Sequence, residues 1–162
     1  MTAYLKDEEY MAHVGHLIDT TRVQRLGEIT HHYHSTRLEH SINVSYTSYK
    51  VAKKLGWDAK STARGGLLHD LFYYDWRDTK FNKSHAWIHP RIAVRNAQKL
   101  TALNKIEKDI IVKHMFGATI APPRYKESWI VTCVDKYWAV REATLPWQHK
   151  WKNRKILRLK IP

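Results

Sequence analysis

At 162 residues the chain has room for one domain, or one domain and a tail, with a core that needs no staples. Its single cysteine, Cys133, excludes an intramolecular disulfide and Cys-rich zinc modules. No apolar run approaches the ~20 residues of a membrane span, and the N-terminal MTAYLKDEEY lacks the apolar centre of a secretory signal. The net charge of +13 favours anionic partners such as nucleotides, nucleic acid or an acidic membrane surface. The expected setting is reducing and cytoplasmic, with Cys133, in the run WIVTCVD, as a buried inert thiol.

Helical periodicity dominates the chain. Met11, Val14, Leu17 and Ile18 form one stripe. A second helix is expected from Thr36, with Glu39 completing a capping box, through Leu38, Ile42, Tyr46 and Tyr49 to Leu55, ended by Gly56. Asp58 caps a third over Ala59 to about Leu71. The stretch YYDWRDTKFNKS reads as a loop. A fourth helix should run from about His85 to Leu100, with Pro90 tolerable only in its first turn. Asn104 caps a fifth, to about Met115; Gly117 and Pro122-Pro123 break the chain. A sixth runs from Lys126 to about Ala143, and Pro146 ends it.

No strand alternation or internal repeat stands out. The expectation is an all-α fold, a single helical bundle of about six main helices over residues 1–145, followed by a basic aromatic tail, 146–162. That tail carries Lys150, Lys152, Arg154, Lys155, Arg158 and Lys160 with no acid. It is made amphipathic by Trp147, Trp151, Ile156, Leu157 and Leu159, so docking against the domain is favoured over a solvated arm.

Onto these apolar helices the sequence places His40, the pair His69-Asp70, His89, His114 and Asp135. Imidazole and carboxylate together form a ligand set for transition-metal dications, and buried ionisable groups are costly unless paired or metal-bound. Several on core-facing segments therefore point to one shared site. Gly65 and Gly66, in ARGGLLHD, lower helix propensity, which implies that another helix packs very close there.

The ordered pattern resembles the HD-domain superfamily of metal-dependent phosphohydrolases. LEHSINVSYTSYKVAKKLG resembles its leading His helix, STARGGLLHDLF its central HisAsp motif, and WIVTCVDKYWAV its closing Asp helix, over roughly residues 36 to 142. His89, in HPRIAVRNA, and His114, ending IEKDIIVKH, fall where binuclear members place two further histidines. The resemblance implies that His40, His69, Asp70 and Asp135 hold one metal. A second would be held by Asp70, His89 and His114, with Asp70 bridging. His85 lies four residues before His89 and competes with it. His89 is preferred, leaving His85 beside the ligands or on the substrate.

Such a ligand mixture suits two ions of Fe, Mn, Co or Zn and is poor for Mg alone. A dication makes hydroxide available near neutral pH, and two can clamp a phosphoryl group. Phosphate also needs cations. Arg64 is the leading candidate, entering on the Gly-rich segment before the pair, with Lys113, Lys136 and Arg91 beside other motif residues. Asp75, in HDLFYYDW, could accept a proton or orient substrate, although the Gly-Lys that often follows the pair is absent. Asp70 and Asp135, with Arg64 and Asp75, are the expected catalytic group; Arg64, Lys113, Lys136 and His85 are the expected substrate contacts.

His31, His32 and His34 read as a solvated loop cluster, and His13 and His16 as surface or packing residues. Tyr73, Tyr74, Trp76 and Trp87 are core or loop anchors first and base-stacking platforms second. The expected substrate is a small phosphate ester or anhydride, a nucleotide by preference. Asymmetric cleavers of dinucleoside polyphosphates and cyclic-dinucleotide phosphodiesterases share the ligand order. The rivals are a nucleotide sensor that binds metal without turnover and, ranked last, a basic nucleic-acid-binding module. No motif sets an oligomeric state.

Overall fold

The computed structural model describes residues 3–32, 35–75, 79, 81, 82 and 84–158, with backbone alone for 30–32 and 145–158. It is an all-α bundle. The long helices are α1 (Glu8–Ile18), α3 (Arg37–Lys54), α4 (Ala59–Leu68), α5 (His85–Gln98), α6 (Lys105–Lys113) and α7 (Lys126–Arg158), with a four-residue α2 (Thr21–Gln24) after the first. These match the six expected. A small antiparallel hairpin, β1 (Thr30–His32) and β2 (Ser35–Thr36), was not foreseen, because five residues are too few for an alternation to register.

The expected caps are in place. Thr36 and Glu39 form the reciprocal capping box of α3, and Asp58 accepts from Ser61 at the start of α4. Asn104 and Glu107 form a second capping box on α6. Gly56 ends α3 with a φ of 66°, a left-handed conformation that glycine adopts without a Cβ clash.

Helix α3 runs through the middle of the bundle. Ile42 and Tyr49 join Tyr10, Val14 and Leu17 of α1 and Leu67 and Leu68 of α4 in the main core. Val44 meets Ile110 of α6 and Val131 of α7 in a smaller one. The glycine pair makes the close approach its composition implied. A Cβ at Gly66 would lie 3.0 Å from the Cα of Ser45, and one at Gly65 would lie 2.7 Å from Ile110 Cδ1, so α4 is wedged between α3 and α6. Ser45 completes the junction by accepting from Tyr10 Oη at 2.9 Å and donating to the Ala63 carbonyl at 2.7 Å.

Three local expectations need correction. Helix α5 begins at His85, which places Pro90 in its second turn rather than its first. The proline removes the N–H that would reach the Ala86 carbonyl, and the helix continues because its remaining bonds and packed face carry it. Helix α7 likewise continues through Pro146 to Arg158, so a proline inside a long, already propagated helix does not stop it. Side chains beyond 144, including those of Trp147, Trp151 and the tail cations, lie outside the described residues. Cys133 is exposed, because it sits about 200° around α7 from the core residue Val131. Among the described residues no helix is long and apolar enough to cross a membrane.

Candidate metal centre

Five helices bring the six candidate ligands together. His40 faces inward from the first turn of α3. Helix α4 ends at Leu68, so His69 is its C-cap and Asp70 lies in the turn beyond it, not on a continuing helix. His89 is on α5, His114 caps the C-terminus of α6, and Asp135 is in α7. All but Asp135 are buried, and Asp135 is half-buried.

The contacts form one continuous cluster. His40 Nε2 lies 3.0 Å from Asp135 Oδ1, and His69 Nε2 lies 3.5 Å from the same oxygen. Asp70 is shared: Oδ2 is 3.9 Å from His69 Nε2, while Oδ1 is 3.4 Å from His89 Nε2 and 3.5 Å from His114 Nε2. One carboxylate oxygen thus faces each half, the disposition a bridging ligand needs. Of the histidine pair on α5, His89 reaches the cluster. His85 stacks on it with ring centroids 4.4 Å apart and takes Tyr74 Oη at 3.2 Å from Nδ1.

The donor set fits a cation on a test internal to the structure. His89 Nδ1 faces the His85 carbonyl at 3.0 Å and His114 Nδ1 faces the Ile111 carbonyl at 2.8 Å. A carbonyl only accepts, so each Nδ1 carries the proton and each Nε2 presents a lone pair. Those two Nε2 atoms are 2.8 Å apart. Two lone pairs at that distance repel each other unless a proton or a metal ion lies between them. Burial, with the neighbouring histidines His69 and His89, pushes His114 down to about 3. Burial also lowers His89, although Asp70 opposes it. Both rings are therefore neutral, as metal ligands must be.

The other half is charged differently. Burial would lower His40, but its contacts with Asp135 and Glu142 raise it to about 10. His69 is raised as well, by Asp70 and Asp135 against burial. Burial works against the Asp135 charge, yet His40 and His69 hold its carboxyl well below the usual range.

The expected cations and proton carriers are distributed unevenly. Lys136 reaches the rim, its Nζ donating to the His114 carbonyl at 3.1 Å. Lys113 turns into an outer cleft with Lys105, Lys108 and Arg124. Arg64 does not face the cluster. It is buried against α6 and α1, with Nε on Glu107, Nη1 3.3 Å from His16 and Nη2 on Thr101 and Ala102. Five helical residues separate it from His69, about 140° around the helix, so the two cannot share a face. Arg91 lies over the Trp87 ring at 4.8 Å and bonds the Trp87 carbonyl. Asp75 stays half-buried in the loop that leaves the cluster, its carbonyl accepting from Thr79.

His16 supports Arg64 and His13 packs edge-on against Tyr49, both packing roles as expected. The side chains of His31 and His32, and all of His34 and Trp76, lie outside the described residues. Tyr73 donates to the Arg22 carbonyl, which makes it a loop anchor.

Two residues in contact with the cluster or the segment after it escaped the sequence reading. Arg37, almost wholly buried, donates to the Phe72 carbonyl at 2.7 Å and lies 3.7 Å over the Phe72 ring, pinning the segment that follows His69-Asp70. Phe72 in turn packs against His89 and His85. Glu142 reaches His40 Nδ1 at 3.2 Å. Each had a weak signal: Arg37 lies one turn before His40, and Glu142 lies two turns after Asp135 on one helical face.

Comparison with curated proteins and with solved structures returned no match. A family model described as the HD domain matches residues 37–158, from the first turn of α3 to the end of α7, and so spans every ligand candidate. On that match the chain belongs to the HD domain family, a superfamily of metal-dependent phosphohydrolases.

Proposed function

We propose that this protein hydrolyses a small phosphate ester or anhydride, a nucleotide by preference, at a two-metal centre. His40, His69, Asp70 and Asp135 hold one ion; Asp70, His89 and His114 hold the other. The observation that carries the reading is the paired Nε2 lone pairs of His89 and His114, set against one oxygen of an aspartate whose second oxygen faces His69. Iron, manganese, cobalt and zinc suit this nitrogen-rich set, whereas magnesium prefers oxygen ligands. Bound metal supplies a water of lowered pKa, from about 15.7 towards ~7, and Lewis acidity at the phosphoryl oxygens.

The chain's own residues do the rest. Asp70, placed between the halves, holds both in register. Lys136, tethered to the His114 carbonyl, puts a positive charge at the rim where a phosphate approaches. His85, lowered to about 4 by burial and by His89, is neutral at physiological pH and can hydrogen-bond a substrate oxygen or base without adding charge. Tyr74 holds that ring by its hydroxyl and packs edge-on against it. Asp75, from the adjoining loop, is the candidate to carry a proton to the leaving group. The single cysteine suits a reducing, cytoplasmic setting.

Metal analysis of the purified protein, followed by a turnover screen over nucleotides and p-nitrophenyl phosphate, tests this. The expected result is close to two ions per chain and multiple turnovers on at least one phosphate substrate. A protein that stays metal-free after supplementation with iron, manganese, cobalt and zinc ends the reading. Tight nucleotide binding without turnover would replace it with a sensor.

A further inference from the structure

All four histidines of the cluster turn Nε2 inward and Nδ1 outward, but what meets Nδ1 differs. His69, His89 and His114 each face a backbone carbonyl three or four residues back in their own chain, those of Gly66, His85 and Ile111 at 2.7, 3.0 and 2.8 Å. His40 faces the carboxylate of Glu142 at 3.2 Å instead. Glu142 is buried, and the same oxygen, Oε2, takes a 2.9 Å hydrogen bond from Ser35 Oγ of the hairpin. Seven residues separate Glu142 from Asp135, two helical turns, so one face of α7 presents a carboxylate to each nitrogen of the His40 ring.

We infer that Glu142 is a positioning residue that acts through His40 to strengthen metal binding at the His40–His69–Asp70–Asp135 subsite, and at that subsite alone. The inference rests on the ligand assignment proposed above. Both kinds of acceptor fix the tautomer, keeping the proton on Nδ1 and the lone pair on Nε2. Only the carboxylate adds a full negative charge behind the ring, which raises the donor strength of the inward nitrogen and offsets the charge of the ion in front of it. The His89–His114 half has no such partner on either Nδ1. The first subsite also has four donors against three, so its greater affinity has two sources. Glu142 accounts for the part that disappears when its charge is removed and the ligands are left intact.

The test uses the full chain, stripped of metal and titrated with Zn²⁺ and with Co²⁺ against a competing chelator. Glu142→Gln keeps an oxygen acceptor for Nδ1 and removes only the charge. Ser35→Ala releases the carboxylate from the hairpin without touching His40. The expected result is a first binding step weakened by about 10–100-fold in Glu142→Gln, the usual cost of losing such an outer partner. Ser35→Ala should weaken it less, the second step should be unchanged in both, and the visible spectrum of the first Co²⁺ bound should shift. If Glu142→Gln does not fold, Ser35→Ala decides by the same readouts. First-step affinity equal to wild type, or a loss confined to the second step, overturns the inference and leaves the metal assignment standing. A wild-type chain that binds no ion overturns both.

Discussion

His40 and His114 lie in one cluster and are equally buried, yet the protein drives their protonation in opposite directions. Burial alone disfavours the charged imidazole in both. His40 escapes because Asp135 and Glu142 stand on either side of its ring at 3.0 and 3.2 Å. His114 has Asp70 at 3.5 Å and Asp135 within 4.8 Å, neither hydrogen-bonded to its ring, and faces the rings of His69 and His89. The difference teaches that direct carboxylate contact, not burial, sets the sign. It also divides the cluster into a half that favours a proton and a half that disfavours one.

Removing the residue common to both halves should have the largest effect. Asp70→Asn keeps the shape but weakens both subsites, and its activity should fall by well over the ~10–100-fold that an outer partner costs. Metal content by mass spectrometry should drop below one ion per chain. Retention of two ions would show that Asp70 does not bridge.

Splitting the halves comes next. His114→Ala should lose mainly the second ion and Asp135→Ala the first, with activity hurt more than folding in each. Unchanged metal content and rate in His114→Ala would make the centre mononuclear. His85→Ala, measured beside His89→Ala, should keep its metal, because His89 Nε2 is the α5 nitrogen that faces Asp70 Oδ1, at 3.4 Å.

The same comparison sets a pH profile for the metal-free protein. His114 and His85, lowered to about 3 and 4 from an ordinary 6.5, stay neutral in the fold where the unfolded chain binds protons. Stability therefore falls as pH drops from 6.5 towards 4. His40, raised to about 10, keeps a proton that the unfolded chain releases near 6.5. Its contribution is complete below 6.5 and is lost as pH rises towards 10. Urea denaturation across this range should show a maximum near pH 6.5, and metal loading should flatten the alkaline limb. A maximum near pH 9 without metal would contradict the assigned environment of His40.

A smaller and purely structural effect is expected outside both halves. Arg64→Met strands the buried Glu107 carboxylate and should cost about 3 kcal/mol of stability, while metal affinity and the Michaelis constant stay as in wild type. A Michaelis constant raised at unchanged stability would return Arg64 to the substrate site.

Helix positions and caps were legible along the chain, because each depends on residues within a few positions of one another. Thr36 with Glu39, Asp58 and Gly56 mark their boundaries by local hydrogen bonds and backbone freedom. Gly65 and Gly66 announce a close packing contact by lacking a Cβ. The spacing of His40, His69-Asp70, His89, His114 and Asp135 identifies a shared site, since so many ionisable groups on apolar faces need one another.

Which way the flanking charges point was not legible in the same way. Adjacency in sequence placed Arg64, Lys113 and Lys136 alike, and packing sent the first to Glu107, the second to an outer cleft and the third to the rim. Glu142 joined His40 across 102 positions, and Arg37 joined Phe72 across 35. Local sequence determined the helices because hydrogen bonding and periodicity act over one or two turns. Only the tertiary structure decided the second carboxylate on His40, the choice of His89 over His85 as the residue that meets Asp70, and the diversion of Arg64, because each depends on how separate helices are rotated against one another.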